Sequence, residues 1–407
     1  MGISDHNTTS GTAVQSDHST KMQHSETRYH NPQFQEQRYP AEDDRMITEG
    51  KEPSEQSQTI SEKDTFRHEL TALAMNCPCL LEKLLRLSAA LTGRPSDLVR
   101  IRGVVSFRLR ADAVTPLTAI RLMGSFALDR ALLFAEDSLD EWESGFYRDH
   151  IPPIITATHN MDAAQKQMWC SILALIARLE IAASLAHGNS SMTSPSILEH
   201  IQSYQSGSTD SFCRSFNASM TCLKLLSEVM KLCLPAPYTR ANWSSDESAQ
   251  SSENTVFVSR WNKLLRKLLA WEKARPVELE EIFTLDSSKN TLPKIIYSGG
   301  GGISTNILYH TAMFLLLNRK PESARDSERG QNTNGDEEHM HPRFHLRWVC
   351  GIALHCEAGD SHCWDPCTIA AMSILTPHIT ALIQPIDMAS IKNSIKSSGW
   401  PAGRLLA

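Results

Sequence analysis

Residues 162–187 read DAAQKQMWCSILALIARLEIAASLAH, and this stretch decides the fold class. Its apolar side chains recur every three or four residues, which is the period of an amphipathic α-helix, at Met168 or Trp169, Ile172, Leu173, Ile176, Leu179, Ala183 and Leu185. Asp162 provides a cap before the first turn, and Gly188 provides a stop after the last one. Arg178 and Glu180 lie within the run and argue against a lipid environment. The stretch therefore predicts a long helix buried inside a helical domain.

Similar spacing predicts further helices in both directions along the chain. They begin near Asp64, at Pro78 and at Pro116, and six more follow the central helix, at about residues 211–234, 255–274, 303–319, 344–356, 368–383 and 387–397. Only Lys294–Tyr297 is typical of a strand, and no second strand lies at hairpin distance from it. The sequence therefore predicts an all-α fold, an irregular bundle or array of antiparallel helices.

The first 63 residues differ in composition from the rest of the chain. Only 12 of them are apolar, and they hold 6 Lys and Arg against 11 Asp and Glu. Such a segment cannot bury enough apolar surface to offset its ordering entropy. We therefore predict a disordered acidic tail over residues 1–63 and an all-helical domain over residues 64–407. Polar and Ser-rich stretches predict mobile loops in this domain at about residues 188–210, 240–254 and 320–343.

Charge and cysteine content narrow the function classes. The domain after the tail holds 34 basic and 35 acidic residues, so it lacks the broad positive field that drives phosphate binding. Ten cysteines without an apolar leader in the first 30 residues favour a reducing intracellular compartment, where structural disulfides are rare. Unaided DNA binding and residence in a membrane are therefore not expected.

One segment holds several residue types that bind metals, namely Cys350, His355, Cys356, Glu357, Asp360, His362, Cys363 and Cys367. Structural zinc sites usually contain C-x2-C pairs, which this chain lacks, so buried cysteines of apolar character are the simpler interpretation. A thiol nucleophile served by His355 or His362 would need a nearby base and access, and the sequence indicates neither. We assign no metal ligand and no catalytic residue in this segment.

Two further motifs invite a phosphate-binding or enzymatic interpretation. The glycine run at residues 299–302 lacks the G-K-[ST] ending of a P-loop and the spacing of a dinucleotide fingerprint, so it favours a flexible loop. Residues 136–141 read EDSLDE, and Glu136, Asp137, Asp140 and Glu141 are close to the D-D-x-x-D magnesium motif of terpene synthases. The second metal motif of those enzymes is missing. A solvated acidic helix face is the simpler interpretation.

Two basic stretches are candidate contact surfaces. The first contains Arg94, Arg100, Arg102, Arg108 and Arg110, and the second contains Arg260, Lys263, Arg266, Lys267, Lys273 and Arg275. The second stretch carries an apolar stripe at helical spacing, which is also typical of a basic amphipathic partner helix. The simpler interpretation is that its stripe packs inward and its lysines face water. Neither stretch has the interleaved aromatic residues that single-strand binding requires.

The order of several motifs resembles the C-terminal regulatory region of fungal zinc-cluster transcription factors, the "fungal-specific transcription factor domain". The resemblance covers about residues 64–404. Its landmarks are the Met168-Trp169 helix with Arg178, the stretch from Arg260-Trp261 through Trp271 to Arg275-Pro276, Leu292-Pro293, Tyr309-His310-Thr311-Ala312 with Leu315 to Leu317 and Lys320-Pro321, Cys350-Gly351-Ile352-Ala353, and Gly399-Trp400-Pro401.

The resemblance implies an all-helical, non-catalytic module that conveys regulatory signals through protein contacts in the nucleus, often at secondary-metabolite gene clusters. In that family DNA is read by a separate C-x2-C-x6-C cluster, whereas the first 76 residues here contain no cysteine. We therefore expect a regulator that meets DNA only through partner regulators, or a shortened gene product, with dimerisation left open. No catalytic, cofactor-binding, metal-binding or DNA-binding residue is assigned. The alternatives are an all-helical magnesium enzyme of terpene-synthase type and an intracellular scaffold.

Overall fold

A computed structural model describes residues 71–91, 115–136, 160–191, 197–199, 201–202, 211–235, 247–285, 292–321, 338–355, 365–381 and 384–397. All of these residues belong to the compact unit Thr59–Ala407. The acidic segment over residues 1–63, for which a disordered tail is predicted, lies outside the described residues.

Helices dominate the described part of the chain, which confirms the predicted all-α class and its irregular helical array. In chain order the elements are α1 (Thr71–Met75), α2 (Pro78–Leu91), α3 (Pro116–Ala135), α4 (Ala163–Ala186), α5 (Ser211–Cys233), α6 (Glu247–Ala274), a 3-10 turn (Val277–Leu279), β1 (Glu281–Leu285), β2 (Lys294–Tyr297), α7 (Gly300–Asn318), a 3-10 turn (Glu338–Met340), α8 (Pro342–His355), α9 (Pro366–Ile379) and α10 (Pro385–Ser397).

The helices begin where the local sequence provides caps. At the start of α4, Asp162 and Gln165 form a reciprocal capping box, in which the Gln165 backbone N–H donates to Asp162 Oδ1 at 2.8 Å. At the start of α9, Asp365 accepts from the Thr368 backbone N–H at 2.7 Å, with Pro366 in the first turn. These side chains satisfy backbone donors that the first turn of a helix leaves without partners.

Two central helices organise the core. Helix α4 packs against α3 and α9, and helix α7 packs against α5 and α8, while α9 also contacts α7. Every residue of α7 from Gly302 to Leu317 is buried, which explains why its apolar side chains occur on all sides of the helix rather than on one stripe. The buried side chains of both centres form one continuous hydrophobic core.

Helix α4 is long and apolar enough to cross a bilayer by length and composition alone. Within the described residues, 78% of its most apolar window is buried inside the protein. Arg178 lies within this apolar run and forms an ion pair with Asp365 at the start of α9, so its charge is paired between two helices. Burial to this extent is typical of a helix in the core of a globular domain.

A two-stranded antiparallel sheet corrects the expectation that Lys294–Tyr297 lacks a partner. β1 pairs with β2 through Phe283 opposite Ile296 and Leu285 opposite Lys294, with an irregularity between Glu281 and Phe283. The loop that joins the strands is longer than a tight turn, so no two-residue hairpin signal marks the pair. For that reason the strand pairing was not visible in the sequence.

Three boundaries also differ from the expectations. Helix α6 begins at Glu247, so the predicted loop over residues 240–254 is helical in its second half. Helix α7 begins at Gly300, so three of the four glycines over residues 299–302 form a helical turn rather than a flexible loop. In the predicted loop over residues 188–210, Ile197, Leu198 and Ile201 are buried in the core. For Ile197, Leu198 and Ile201, burial in the core outweighs a local composition that is typical of a loop.

Candidate functional site

Five residues lie along the contact between α6 and α7, four of them within motifs that the sequence singled out, and we call them the anchor cluster: Trp261, Trp271, Arg275, Asn306 and Tyr309. The apolar stripe of α6 turns inward, as the simpler interpretation of the sequence predicts. Trp261 donates from Nε1 to the Leu316 carbonyl oxygen at 2.8 Å, and its side chain is almost fully buried. The stripe is therefore buried in the core and cannot serve as an apolar contact face for a partner.

Trp271 ties the same helix to two others. Its Nε1 donates to the Ala218 carbonyl oxygen of α5 at 2.9 Å. Its ring stacks on Tyr309 of α7, with ring centroids 5.0 Å apart and planes inclined by 27°. Burial raises the pKa of the Tyr309 hydroxyl, and Glu272 raises it further. Tyr309 therefore stays neutral at any physiological pH and serves as a packing group.

Arg275 closes the cluster at the end of α6. Its guanidinium donates to Asn306 Oδ1 at 2.5 Å and forms an ion pair with Glu281 of β1. Asn306 in turn donates from Nδ2 to the carbonyl oxygens of Leu279 and Gly302, both at 2.8 Å. A planar guanidinium can reach two acceptors at once, so one side chain fixes the ends of α6, β1 and α7 relative to each other.

A buried histidine pair lies next to this cluster. His310 of α7 and His345 of α8 approach through their Nδ1 atoms at 2.9 Å, and His345 Nε2 lies 2.9 Å from the His339 carbonyl oxygen. Because a carbonyl only accepts, His345 carries its proton on Nε2, and His310 donates from Nδ1 to His345 Nδ1. This assignment requires the His345 ring to be neutral, with its Nδ1 unprotonated.

Burial keeps both histidine rings neutral near pH 7. It lowers the pKa of His345 to about 4. It also lowers the pKa of His310 well below its usual value, and the neighbouring His345 and Arg275 lower it further. Phe344 and Trp348 surround the rings, with centroids 6.5 and 5.2 Å from that of His310. The pair is suited to joining α7 and α8 rather than to exchanging protons near pH 7.

The outer side of α6 carries an exposed positive surface, the basic face of α6: Arg260, Lys263, Arg266 and Lys273. Lys267 lies at the edge of this face and forms an ion pair with Glu228 of α5 at 2.8 Å. The other basic stretch that the sequence singled out, from Arg94 to Arg110, lies outside the described residues.

The cysteine-rich segment is only partly described. Cys350 of α8 and Cys367 of α9 are buried, and burial raises the pKa of both thiols, that of Cys350 to about 12. Burial also lowers the pKa of His355, at the end of α8, and Lys294 adds to the effect. Cys356, Glu357, Asp360, His362 and Cys363 lie outside the described residues.

Thiols that remain protonated are poor nucleophiles and poor metal ligands. Among the described residues, no three His, Cys, Asp or Glu side chains are grouped so that they could hold a metal ion. Cys170, Cys222 and Cys233 are thiols that are buried like Cys350 and Cys367.

The remaining motif residues show no shared site in the described part of the chain. Glu136 ends α3 and forms an ion pair with Arg86 of α2 at 3.2 Å, whereas Asp137, Asp140 and Glu141 lie outside the described residues. At the start of α7, a Cβ on Gly302 would lie 3.2 Å from the Tyr297 ring, so this glycine serves close packing.

Two features were missed by reasoning from the sequence. The histidine pair joins residues 35 positions apart, and the only signal was a polar residue within each of two apolar helices. The apolar residues of β1 were missed because five residues are too short for a clear alternating pattern.

Comparison of the chain with protein-family models, with curated proteins and with solved structures found no match in any of the three.

Proposed function

We propose that this chain is the regulatory domain of a fungal zinc-cluster-type transcription regulator and acts in the nucleus through protein contacts, since its 407 residues contain no C-x2-C-x6-C motif. Control of a secondary-metabolite gene cluster is the role that the resemblance favours. Partner regulators would supply the contact with DNA. The chain itself would supply no catalytic residue, cofactor or metal.

The observation that carries this proposal is the position of the motif residues. The landmarks of the resemblance in α6 and α7 are Trp261, Trp271, Arg275 and Tyr309, and each of them contacts a neighbouring element inside the protein. The two indole N–H groups and the Arg275 guanidinium join α6 to neighbouring elements, and the aromatic rings are buried. Motif residues that stabilise the packing of helices are expected in a non-catalytic helical domain. In an enzyme, the polar atoms of the motif residues would instead face a substrate.

The basic face of α6 is the surface that we propose for contact with an acidic co-regulator. Its side chains project outward because the tryptophans hold the opposite side of α6 in the core. Like charges on one exposed helix face favour association with an oppositely charged partner, mainly through the rate of encounter.

A tethering assay tests the proposal directly. The full chain is fused to a heterologous DNA-binding domain, and expression of a reporter with the matching promoter site is measured. We expect a several-fold change in reporter expression, a nuclear location of the tagged protein, and no mobility shift of DNA by the unfused chain. Unchanged expression in either direction, together with an exclusively cytosolic location, would favour the scaffold instead.

A matched pair of variants separates the surface from the fold. Lys263→Glu reverses a charge on the basic face of α6, whereas Arg343→Glu reverses an exposed charge at the start of α8. We expect the first variant to weaken the reporter response and the second to leave it unchanged, with equal protein levels. An equal loss in both variants would argue against α6 as the contact surface.

The alternative of a magnesium enzyme has its own assay. It requires turnover of an isoprenoid diphosphate in the presence of Mg²⁺ and loss of that turnover in Asp137→Ala. One acid of its motif, Glu136, is already engaged by Arg86. We therefore rank this function below regulation, and measured turnover would reverse the order.

A further inference from the structure

The two-stranded sheet exposes an unusual share of apolar surface. Of the nine large apolar side chains that are exposed among the described residues, five lie in or beside the sheet, with exposed fractions between 41% and 73%: Val277, Ile282, Phe283, Leu285 and Ile296. Single exposed apolar residues are common on proteins, but a contiguous group marks a contact surface.

The register of the strands places three of these side chains, Phe283, Leu285 and Ile296, on one side of the sheet. Phe283 lies opposite Ile296, and Leu285 lies opposite Lys294, so these four residues are on the same face of the sheet. The other face carries Ile295 and packs against α8. We call the first side, Phe283, Leu285, Ile296 and the neighbouring Ile282, the hairpin outer face.

Opposite charges lie at the two ends of this face. Glu280 precedes β1 and is exposed, and Lys294 begins β2 beside Leu285 and is also exposed. Glu281 points to the inner side, where it pairs with Arg275, so alternation directs Glu280 outward. The irregularity leaves only three steps of β2, from Tyr297 to Lys294, opposite Glu281–Leu285, so at roughly 3.3 Å per strand residue Glu280 and Leu285 are about 13 Å apart along the sheet.

We infer that the hairpin outer face is an interface with a second copy of this chain. In a two-fold arrangement whose axis crosses the strands, the apolar centres of the two faces meet, and Glu280 of each copy lies near Lys294 of the other. A surface with opposite charges at its two ends is complementary to itself under such an axis. A face with one sign of charge at both ends would repel its own copy.

The size of the face predicts how tightly the copies associate. A stable interface buries about 800 Å² on each partner, and a face of two short strands offers less than that. The dimer is therefore weak and dissociates on dilution. This inference does not depend on the proposed regulatory function.

The test measures the dimer by sedimentation equilibrium of the full chain over a range of concentrations. Glu280→Lys and Lys294→Glu each place two like-charged pairs in the interface, and we expect each variant to raise the dimer dissociation constant at least about tenfold. An equimolar mixture of the two variants restores two opposite-charge pairs in a heterodimer. We therefore expect the mixture to associate at least as well as the wild type.

A second pair of variants tests the apolar centre and controls for folding. Phe283→Lys removes the dimer and leaves the thermal midpoint close to that of the wild type, because the side chain is half exposed. Leu117→Lys, at a similarly exposed position on α3, leaves the dimer intact. A chain that stays monomeric at all concentrations, a dimer that persists in Phe283→Lys, or a variant mixture that fails to associate would each overturn the inference.

Discussion

His310 and His345 place two titratable rings inside the core, where only their neutral forms are accommodated. In the unfolded chain a histidine takes up a proton near pH 6.5, whereas burial lowers the pKa of His345 in the folded chain to about 4. Between these two values the unfolded state binds more protons than the folded state. The free energy of unfolding therefore falls as the pH falls through this window.

For His345 alone, the loss from pH 7 to pH 4 is of order 3 kcal/mol. Chemical denaturation at several pH values measures it. We expect His345→Gln to have a shallower pH dependence than the wild type between pH 6.5 and pH 4. His378→Gln, at an exposed position on α9, keeps the wild-type dependence. Equal slopes for all three proteins would show that the buried pair does not control acid stability.

Arg275 is the second residue whose substitution should lower the free energy of unfolding, because its side chain contacts two other elements. Arg275→Lys keeps the positive charge but cannot reach both Asn306 and Glu281 with the planar geometry of a guanidinium. We expect a loss of about 2 kcal/mol in the free energy of unfolding, because a buried acceptor is left without its donor. Arg266→Lys, on the exposed side of α6, changes it by less than about 0.5 kcal/mol.

At the scale of elements, most helices could be predicted because their ends carry local signals. Pro78, Pro116 and the Asp162 cap lie at the starts of α2, α3 and α4, where proline and capping side chains are expected. The first eight residues of α6 could not be predicted, since they carry no apolar stripe of their own and continue a helix that is anchored further along. β1 could not be predicted because its partner is chosen by packing against α8 and not by a turn.

The basic face of α6 and the anchor cluster also differ in how far the sequence predicts them. The basic face of α6 follows from helical spacing alone, since the apolar and charged positions alternate with a period that the sequence shows. The anchor cluster does not, because Arg275, Asn306 and Glu281 are brought together by the relative placement of three elements. Contacts of that kind depend on long-range packing, on which local patterns carry no information.

Glycine in α8 provides a test at this scale. A Cβ at Gly351 would lie 2.3 Å from the Pro293 carbonyl oxygen, a backbone atom that cannot move freely, just before β2. We expect Gly351→Ala to destabilise the protein by about 1–3 kcal/mol, even though alanine favours helix by about 1 kcal/mol at an open position. Gly301→Ala has free space for its Cβ and serves as the control. Thermal unfolding of both variants measures the difference, and a neutral Gly351→Ala would contradict the close approach.

At the scale of the whole molecule, the two central helices share one core. α4 and α7 lie in different neighbourhoods, but α9 contacts both, and the buried side chains around them are continuous. Arg178 and Asp365 add an ion pair between α4 and the start of α9. A core without an internal boundary is expected to unfold as one cooperative unit.

Equilibrium denaturation tests this continuity with two probes. Tryptophan fluorescence reports all eight tryptophans, among them Trp169 in α4 and Trp261 and Trp271 in α6, whereas far-ultraviolet circular dichroism reports all the helices. We expect the two transitions to coincide. A fluorescence change at a clearly lower denaturant concentration would instead indicate that the core divides into two parts that melt separately.

The buried cysteines give the fold an internal set of reporters. Alkylating reagents attack the thiolate, and burial raises the pKa of Cys170, Cys233 and Cys350 to about 12 while also closing them off from solvent. Each thiol therefore becomes modified only during a transient opening of the helix that carries it. Labelling rates of these thiols, measured by mass spectrometry, would then report how often α4, α5 and α8 open locally, without any engineered label.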